Sequence, residues 1–516
     1  MYLRIKLHPE IMTKSDSVRK RFVKILSSNI RQSLKTFNLD CSIQINWDNI
    51  LVRAKCDPML YKVFVQILCQ VPGIQKILLI KMVPFVEDNL HALYEEVFAL
   101  NAARLENKTF CVRVKRKGKH QVKSIDIERY VGGGLRQHVL GATVNLTAPQ
   151  ETVQIEIDND TAFLIEHTFN GLGGFPIGTQ DAVLSMISGG YDSAVSSWQM
   201  IRRGCKVHYV FFNLGGHEHE YYVKRIARKV WQHYSASHNV KFVYVDFYNI
   251  MLNIANSVSD GYTGVCLKRM FYRVATAIAH KLGIDGLVTG EALGQVSSQT
   301  LKNLGVIERV TDLPVLRPLI AMDKEEIIAQ ANQIQTAEIS AKVQEFCGIM
   351  GKKPTIAADL SRLEEEEAKL DIEALVAQAL ETAKVENLRD IAKQDLAHIE
   401  STQLTFVRSL GDNDVVIDVR DSETFERANN QWPVPVLNIP FFKLAEEFAS
   451  LEQSKRYVLY CTKGLLSRIQ AVNLIENGYK NVVVLSKDFK FDEHGKPILA
   501  ADGEQASEQT TSLTGK

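Results

Sequence analysis

A glycine-rich stretch, Ser188-Gly189-Gly190-Tyr191-Asp192-Ser193, sets the strongest limits on the fold of this chain. It follows an apolar run at 182–187 and precedes a segment, 194–201, that has the spacing of a helix. A buried strand that turns directly into a helix aims backbone N–H groups and the positive end of the helix at one point, where an anion can bind. The stretch lacks the Lys found in loops that transfer a γ-phosphoryl group. It therefore predicts a phosphate site of another kind, with a plain serine-glycine turn as the alternative.

Strand-like and helix-like segments alternate after this loop. Short apolar strands are predicted at 206–212, 241–245 and 286–289, separated by helical stretches long enough to cross over. Such alternation predicts a doubly wound parallel sheet, which binds ligands beyond the carboxyl ends of its strands. The segments expected at that edge are 290–299 and 266–270.

Two further polar features lie in this part of the chain. His217 and His219 look like a metal pair, but an ordinary loop is favoured because no other ligands are near them in the sequence. Lys324 follows a predicted helix cap at Asp323, in a first turn where a cation opposes the helix dipole. A bound polyphosphate would compensate for this charge, although an exposed Lys also fits there.

The string S-G-G-x-D-S resembles the pyrophosphate loop of ATP pyrophosphatases. These enzymes cleave ATP between its α and β phosphates and adenylate an acceptor. The resemblance implies that the strand, the loop and the helix bind the phosphates of ATP.

The length and composition of the chain limit what else it can be. Its 516 residues are enough for three or four domains, and 46% of them are hydrophobic, as in a globular protein. The net charge of +1 means that any nucleic-acid binding must come from a local patch. The lack of a long apolar run and the charged start predict a soluble cytoplasmic protein. None of the eight cysteines forms a C-x-x-C pair, which argues against a zinc ribbon.

A local basic patch lies between 108 and 136, with almost no acidic residue before Asp126. It leads into Gly132-Gly133-Gly134, where the backbone could closely approach a phosphate; a solvated charged face is the alternative. The segments 110–116 and 128–134 resemble a THUMP domain of tRNA-modifying enzymes. The resemblance implies that the patch holds the acceptor end of tRNA by its backbone and shape. The predicted RNA-binding residues are Lys115, Arg116, Lys117, Lys119, Lys123 and Arg129.

A reactive cysteine is predicted near the C-terminal end. An apolar strand at 457–460 ends at Cys461, and a helix follows the loop. N–H groups at such a turn stabilise a thiolate or persulfide, although a structural cysteine is the alternative. The pairing of Asp418-Val419-Arg420 with 461–468 resembles a rhodanese domain, whose loop cysteine carries a persulfide.

The order of these segments resembles the tRNA 4-thiouridine sulfurtransferase family over about residues 1–490. The predicted fold class is a multidomain α/β protein, and the acidic run 363–367 is expected to be a solvated face of its linker. The predicted domains are a ferredoxin-like module (1–60), a THUMP domain (61–165), a doubly wound parallel-sheet adenylation domain with the pyrophosphate loop (178–345), a helical linker (346–402), a rhodanese-like domain (403–490) and a disordered tail (491–516).

The family resemblance also implies an activity and its partners. Uridine at position eight of tRNA would be adenylated by ATP with Mg²⁺, and its O4 replaced by persulfide sulfur from Cys461. A cysteine desulfurase would donate the sulfur, and the ThiS sulfur carrier protein would receive sulfur for the thiazole of thiamine. The resemblance implies that Cys347 forms a disulfide with Cys461. It also implies that Asp192 and Lys324 serve the activation step. No metal site is expected. The predicted ATP contacts are Met186, Ile187, Ser188, Gly189, Gly190, Ser193, Lys268, Gly290 and Gln299.

Three other functions stay open on the sequence. They are a different pyrophosphate-loop tRNA thiolase, an amide-forming synthetase, and a non-catalytic tRNA-binding sulfur carrier with a vestigial nucleotide loop. The joint presence of Asp192, Lys324, Cys347 and Cys461 argues against the carrier. The basic patch and the cysteine loop argue against the synthetase.

Overall fold

A computed structural model describes residues 1–54, 60–343, 354–391, 404–420, 422–428, 431–461, 465–486, 489–491, 497–498 and 509–510. The chain divides into two compact units. The first contains Met1–Asp181, Met200–Lys206 and His233–His238, and the second contains Ala182–Gln199, Val207–Gln232 and Asn239–Lys516. Of the helices in the described ranges, none combines the length and apolar character that crossing a bilayer requires.

The first unit is built on one eight-stranded sheet in the order β2-β3-β1-β4-β8-β7-β5-β6. Among the described strand pairs of this sheet, β5–β6 and β5–β7 are parallel and the others are antiparallel. The strands are β1 (Tyr2–Leu7), β2 (Ser42–Ile45), β3 (Asn49–Arg53), β4 (Ile74–Pro84), β5 (Thr109–Lys117), β6 (Thr143–Val144), β7 (Glu151–Asp158) and β8 (Thr161–Asn170). The helices are α1 (Pro9–Met12), α2 (Asp16–Thr36), α3 (Tyr61–Leu68), α4 (Leu90–Leu105) and α5 (Ser124–His138).

The long strand β4 links the two halves of this unit. Its residue Ile77 belongs to a core shared with α2 and α3, while Val83 belongs to a second core shared with α4 and α5. The predicted N-terminal module and RNA-binding domain therefore share a continuous sheet. Alternation along each strand places apolar side chains against the helices.

The glycine triplet lies inside α5 and does not form an open loop. A Cβ atom on Gly134 would come within 2.5 Å of the Tyr94 ring, so glycine lets α4 pack closely on α5. The prediction that this triplet brings backbone close to a phosphate is therefore wrong for Gly134, because a side chain already fills that space.

The second unit begins with a six-stranded sheet in the order β13-β12-β9-β10-β11-β14. Its strands are β9 (Ala182–Met186), β10 (Lys206–Asn213), β11 (Lys241–Asp246), β12 (Leu287–Val288), β13 (Val315–Leu316) and β14 (Lys384–Asn387). Its helices are α6 (Tyr191–Arg202), α7 (Gly216–Val230), α8 (Tyr248–Ser257), α9 (Thr263–Leu282), α10 (Leu301–Glu308), α11 (Lys324–Gln333), α12 (Ala337–Ser340), α13 (Leu360–Glu367), α14 (Ile372–Glu381) and α15 (Leu388–Ile391), with a π-helical turn at Trp231–Ser235 and a 3₁₀ turn at Ser297–Gln299.

The topology of this sheet locates its ligand crevice. The chain leaves β9 for β10 on one side and later returns to β12 on the other side of β9. Ligands of doubly wound sheets bind at the carboxyl ends of the strands where the order reverses in this way. The predicted pyrophosphate loop follows β9 and therefore lies at that switch point.

The segment predicted as a helical linker differs from expectation in two ways. Strand β14 pairs antiparallel with β11 and extends the sheet, so the segment is not wholly helical and the sheet is not wholly parallel. In the acidic run, Glu366 and Glu367 are buried, which contradicts a fully solvated face. The cause is ion pairing, because Glu367 accepts hydrogen bonds of 2.7 to 3.0 Å from Arg269 and Arg273 of α9.

A third sheet, in the order β17-β16-β18-β19-β15-β22, forms the C-terminal part. Its strands are β15 (Thr405–Val407), β16 (Asp414–Asp418), β17 (Val436–Asn438), β18 (Arg456–Tyr460), β19 (Val482–Leu485) and β22 (Gln509–Thr510), and a separate pair contains β20 (Lys490–Phe491) and β21 (Pro497–Ile498). Its helices are α16 (Ser422–Ala428), α17 (Phe441–Glu447) and α18 (Leu465–Glu476), with a 3₁₀ turn at Phe448–Ser450.

Most of the predicted disordered tail lies outside the described residues. Its described residues include Gln509–Thr510, which pair antiparallel with Thr405 and Phe406 at the edge of the third sheet. An edge strand offers unpaired backbone groups to a further strand, and these two residues take that place. Disorder of the tail as a whole stays a prediction.

The Glu367 cluster generates a stability prediction. Burial alone would raise the pKa of Glu367, but hydrogen bonds and charges from Arg273 and Arg269 outweigh it, and the pKa is lowered. Glu367→Ala should reduce the free energy of unfolding at pH 7 by about 3 kcal/mol, since it leaves two cations without their carboxylate. Urea unfolding measures this loss.

Glu364→Ala is the matched control, because Glu364 is exposed on the same helix. It should change stability by at most about 0.5 kcal/mol. Because the folded-state pKa of Glu367 is lowered, its contribution should be present above the ordinary carboxyl pKa of about 4.3 and fade as pH falls below it. Equal losses in both variants would contradict a special role for the buried cluster.

Candidate active site

A cavity of about 440 Å³ lies at the switch point of the second unit. The loop after β9, the first turns of α9, the segment after β12 and the start of α11 form its wall. Residues remote in sequence thus meet at one place. The predicted site residues that line the cavity are Met186, Ile187, Ser188, Gly190, Asp192, Ser193, Lys268, Gly290, Gln299 and Lys324.

The loop after β9 is a tight turn closed by its own serines. Ser193 Oγ accepts a hydrogen bond of 3.2 Å from the Ser188 N–H and donates one of 3.1 Å to the Gly190 carbonyl. Gly189 has a φ of +88°, a conformation that favours glycine. The first N–H groups of α6 follow immediately, so the turn has the form of an anion site.

Gly290 lies against the first turn of α6. A Cβ atom there would come within 2.7 Å of the Asp192 carbonyl carbon and 2.8 Å of the Ser193 nitrogen. Both contacts are with backbone, which cannot move aside as a flexible side chain would. Glycine is therefore required for the segment after β12 to approach the loop this closely.

Asp192 and Lys324 form an ion pair at this end of the cavity. The Lys324 Nζ lies 3.0 Å from each carboxylate oxygen of Asp192. Asp323 caps α11 as predicted, since its Oδ1 accepts a hydrogen bond of 2.8 Å from the Glu326 N–H. The charge compensation expected from a polyphosphate is supplied here by the Asp192 carboxylate.

Glu291 is the centre of a buried network that sequence reasoning did not find. Its Oε2 accepts hydrogen bonds from Tyr272 at 2.8 Å, from Thr289 at 3.0 Å and from Arg317 at 3.0 Å. The Lys268 Nζ lies 3.7 Å from the other oxygen. Burial alone would raise the pKa of Glu291, but the charges of Lys268 and Arg317 outweigh it, and the pKa is lowered. The group therefore stays a carboxylate between two cations.

One sequence signal could have suggested part of this network. Lys268 and Tyr272 are four residues apart on α9 and so share a face of that helix. Arg317 follows β13, which pairs parallel with β12, so both strands end at the same edge. Nothing in local periodicity marked Arg317, because its partners lie far away in the sequence.

His217 and His219 belong to helix α7 and not to the predicted loop, and His219 is buried next to the loop after β9. Its Nε2 lies 2.9 Å from the Ser188 carbonyl oxygen, and burial lowers its pKa to about 4. The side chain of His217 is outside the described set. Among the side chains that the structure describes, no three His, Cys, Asp or Glu residues are grouped to hold a metal ion.

Cys461 lies at the carboxyl end of β18, in the third sheet. The Ser467 N–H in the first turn of α18 points at its sulfur, with a nitrogen-to-sulfur distance of 3.4 Å. Asp418 and Arg420 form a buried ion pair at the end of the neighbouring strand β16. The sulfur therefore lies at the start of a helix and within electrostatic reach of the Arg420 guanidinium.

Cys347 lies outside the described residues. The nearest described residues on either side of it, Val343 and Pro354, both line the cavity. The predicted pairing of Cys347 with Cys461 stays a prediction.

The predicted RNA-binding residues do not share one surface. Side chains alternate along β5, so Lys115 and Lys117 lie on one face of the sheet and Arg116 on the other. Arg116 donates hydrogen bonds to Ser124 and to the Val122 carbonyl, which ties down the turn before α5. The exposed members of the set are Lys115, Lys117, Lys119, Lys123 and Arg129.

Family models match four parts of the chain. The model described as Thiamine biosynthesis protein (ThiI) matches residues 178–372, and the THUMP domain matches 87–165. The ThiI ferredoxin-like domain matches 3–77, and the rhodanese-like domain matches 402–490. With the observed sheets, these matches confirm the predicted α/β fold class and its order of domains.

Curated proteins named tRNA sulfurtransferase are similar along almost their whole length. One from Haemophilus influenzae is 47% identical, covering 94% of this chain and 99% of that protein. One from Haemophilus ducreyi is 48% identical, covering 93% and 99%. One from Escherichia coli is 46% identical, covering 93% and 98%.

Two solved structures share the fold. "Crystal structure of a 4-thiouridine synthetase - RNA complex with bound ATP" superposes with a TM-score of 0.67 at 27% identity, covering 75% of this chain and 99% of that one. A protein from Pyrococcus horikoshii, PH1313, superposes with a TM-score of 0.51 at 22% identity, covering 65% and 100%. The second likeness concerns the fold alone.

The contact of Gly290 with α6 gives a binding prediction. Gly290→Ala should weaken the binding of inorganic pyrophosphate by about tenfold or more, which corresponds to about 1.4 kcal/mol, because the added methyl group must displace the first turn of α6. Isothermal titration calorimetry measures this. Gly305→Ala is the control, since a Cβ there meets no atom within 4 Å. Unchanged pyrophosphate affinity in Gly290→Ala would contradict the anion site.

Proposed function

This chain belongs to the tRNA sulfurtransferase family, and on that premise we propose that it uses ATP to convert a tRNA uridine into 4-thiouridine. The observation that carries the proposal is the cavity where the loop after β9, the Asp192–Lys324 pair and Gly290 meet. It combines an anion-binding turn with charged groups, as activation of a substrate by ATP requires.

Activation is needed because the C4 carbonyl of uridine cannot readily release its oxygen. In the proposed first step, uridine O4 attacks the α-phosphorus of ATP, and pyrophosphate leaves. The oxygen then departs later as part of AMP, a far better leaving group than hydroxide. The N–H groups of the loop and of α6 hold the departing phosphates, where they stabilise the charge that develops.

The remaining cavity residues suggest how ATP lies. We place the adenine against the apolar side chains of Phe212, Leu214 and Phe271, which line the same cavity. Lys268 and Lys324 supply positive charge to the phosphates. Mg²⁺ is proposed to enter with ATP, bound mainly by phosphate oxygens, with the Asp192 carboxylate as a suitable oxygen donor beside them. Its role there would be to reduce the charge of the triphosphate.

Sulfur transfer is proposed to use Cys461. The terminal sulfur of a persulfide on Cys461 attacks C4, and the C4–O4 bond breaks with loss of AMP. A thiolate of Cys347 then attacks the Cys461 sulfur, the bond between the two persulfide sulfurs breaks, and 4-thiouridine is released. The two cysteines end as a disulfide, and a dithiol reductant restores them. The Ser467 N–H and Arg420 would stabilise the anionic sulfur.

The family also suggests the partners and the location. We propose a cytoplasmic enzyme that modifies uridine at position eight, takes its sulfur from a cysteine desulfurase and also passes sulfur to the ThiS sulfur carrier protein. Transfer to ThiS would need the rhodanese-like domain and Cys461 but not the ATP cavity.

Separate sites for the two chemistries predict separable defects. Asp192→Asn should lower the rate of 4-thiouridine formation by on the order of 100-fold or more, because Lys324 loses its charge partner and ATP is misplaced. The same variant should still accept sulfur on Cys461, which mass spectrometry of the protein detects.

Cys461→Ser is the converse variant. It should lose both persulfide loading and thiolation while still binding ATP. Near-normal thiolation by Asp192→Asn, or its failure to load sulfur, would be inconsistent with the assignment of ATP activation to this cavity.

The two faces of β5 predict different effects for adjacent basic residues. Lys115→Ala should weaken tRNA binding and lower the slope of log affinity against log salt by up to about one, as expected when one phosphate contact is lost. Arg116→Ala should leave that slope unchanged and instead reduce thermal stability, because its guanidinium is bonded to Ser124 and Val122. Equal slope changes in both variants would show that the alternation does not separate their roles.

A further inference from the structure

A buried histidine on α7 contacts the backbone of the pyrophosphate loop. His219 is 6% exposed, and its ring meets Phe211 edge-on at a centroid distance of 4.7 Å. Its Nε2 lies 2.9 Å from the Ser188 carbonyl oxygen, which belongs to the residue that begins the loop. The proposed reaction assigns this histidine no chemical step, so its contact with the loop needs another explanation.

The direction of this hydrogen bond follows from the protonation of the ring. Burial lowers the pKa of His219 to about 4, even though the hydrogen bond to Ser188 acts in the opposite direction. The ring is therefore neutral near pH 7 and carries one hydrogen. Since a carbonyl oxygen only accepts, that hydrogen is on Nε2 and points at Ser188.

Peptide geometry carries the effect to the next residue. In a trans peptide the C=O of one residue and the N–H of the next point in opposite directions. Holding the Ser188 carbonyl toward His219 therefore aims the Gly189 N–H away from His219. Gly189 has a φ of +88°. Because glycine lacks a Cβ atom, its backbone can also adopt other conformations at little cost. A rotation of the Ser188–Gly189 peptide would direct the carbonyl oxygen, with its negative partial charge, to where the N–H now points.

We propose that His219 is a positioning residue that fixes the orientation of the Ser188–Gly189 peptide at the start of the loop that binds phosphates. The assignment of those phosphates to ATP rests on the proposed function. The positioning role itself requires only that the loop bind an anion. It concerns the orientation of a single backbone amide and involves no proton transfer.

The test uses side chains that differ in where they place a donor. In His219→Gln the amide nitrogen reaches about the position of Nε2, whereas in His219→Asn it reaches only about the position of Nδ1. The measurement is calorimetric titration of the full-length protein with inorganic pyrophosphate, followed by KM for ATP and kcat for thiolation. Melting temperatures are recorded for each variant.

His219→Gln should bind pyrophosphate within about threefold of the wild type. His219→Asn and His219→Leu should bind about tenfold more weakly, a difference of about 1.4 kcal/mol, and KM for ATP should rise in step. The Gln–Asn comparison decides the matter even if His219→Leu does not fold. The proposal would be overturned if His219→Gln bound pyrophosphate as weakly as His219→Asn does. Equal binding by all variants would also overturn it.

Because pyrophosphate binding is measured directly, the outcome is independent of the reaction. If the wild type bound pyrophosphate but formed no 4-thiouridine, the proposed function would fail while the positioning role could still be measured. If Gln restored binding and thiolation together, both would be supported.

Discussion

The candidate site depends on how closely the segment after β12 approaches the first turn of α6. Gly290 contacts the backbone of Asp192 and Ser193 at distances that no other residue would allow. This contact brings the end of one strand against the loop that follows its neighbour, and it places Glu291 directly beside the anion-binding turn. The positions of Lys268, Tyr272 and Arg317 then follow from their contacts with Glu291.

Local sequence patterns predicted much of the fold. The apolar runs before Ser188 and Cys461 are the strands β9 and β18, and a helix follows each loop. These predictions succeeded because a buried parallel strand is a short apolar run in the sequence. The glycine-rich loop at Ser188 and the loop that begins at Cys461 then mark where each strand ends and a helix follows. The cap at Asp323 was also predictable, since a side-chain oxygen before a helix satisfies its first N–H groups.

Features that depend on tertiary contacts could not be predicted from the sequence. The basic run looked continuous, yet alternation along β5 separates Lys115 from Arg116. The acidic run looked solvated, yet Glu367 is buried against two arginines of α9. The glycine triplet looked open, yet Tyr94 covers Gly134. Glu367 and Gly134 meet partners far away in the chain, which no single-sequence pattern reports. Arg116 differs, because it is bonded to Val122 and Ser124 a few residues along the chain, and only the structure shows that bonding.

In the proposed reaction, ATP is cleaved between its α and β phosphates to activate uridine before sulfur attacks. The most direct measurement is mass spectrometry of tRNA nucleosides after reaction with the full-length protein, a persulfide donor and one of two ATP analogues. 4-Thiouridine should form with β,γ-imido-ATP, whose α–β bridge is intact and cleavable, and should be absent with α,β-methylene-ATP. Formation of 4-thiouridine with α,β-methylene-ATP, or without any nucleotide, would contradict the account.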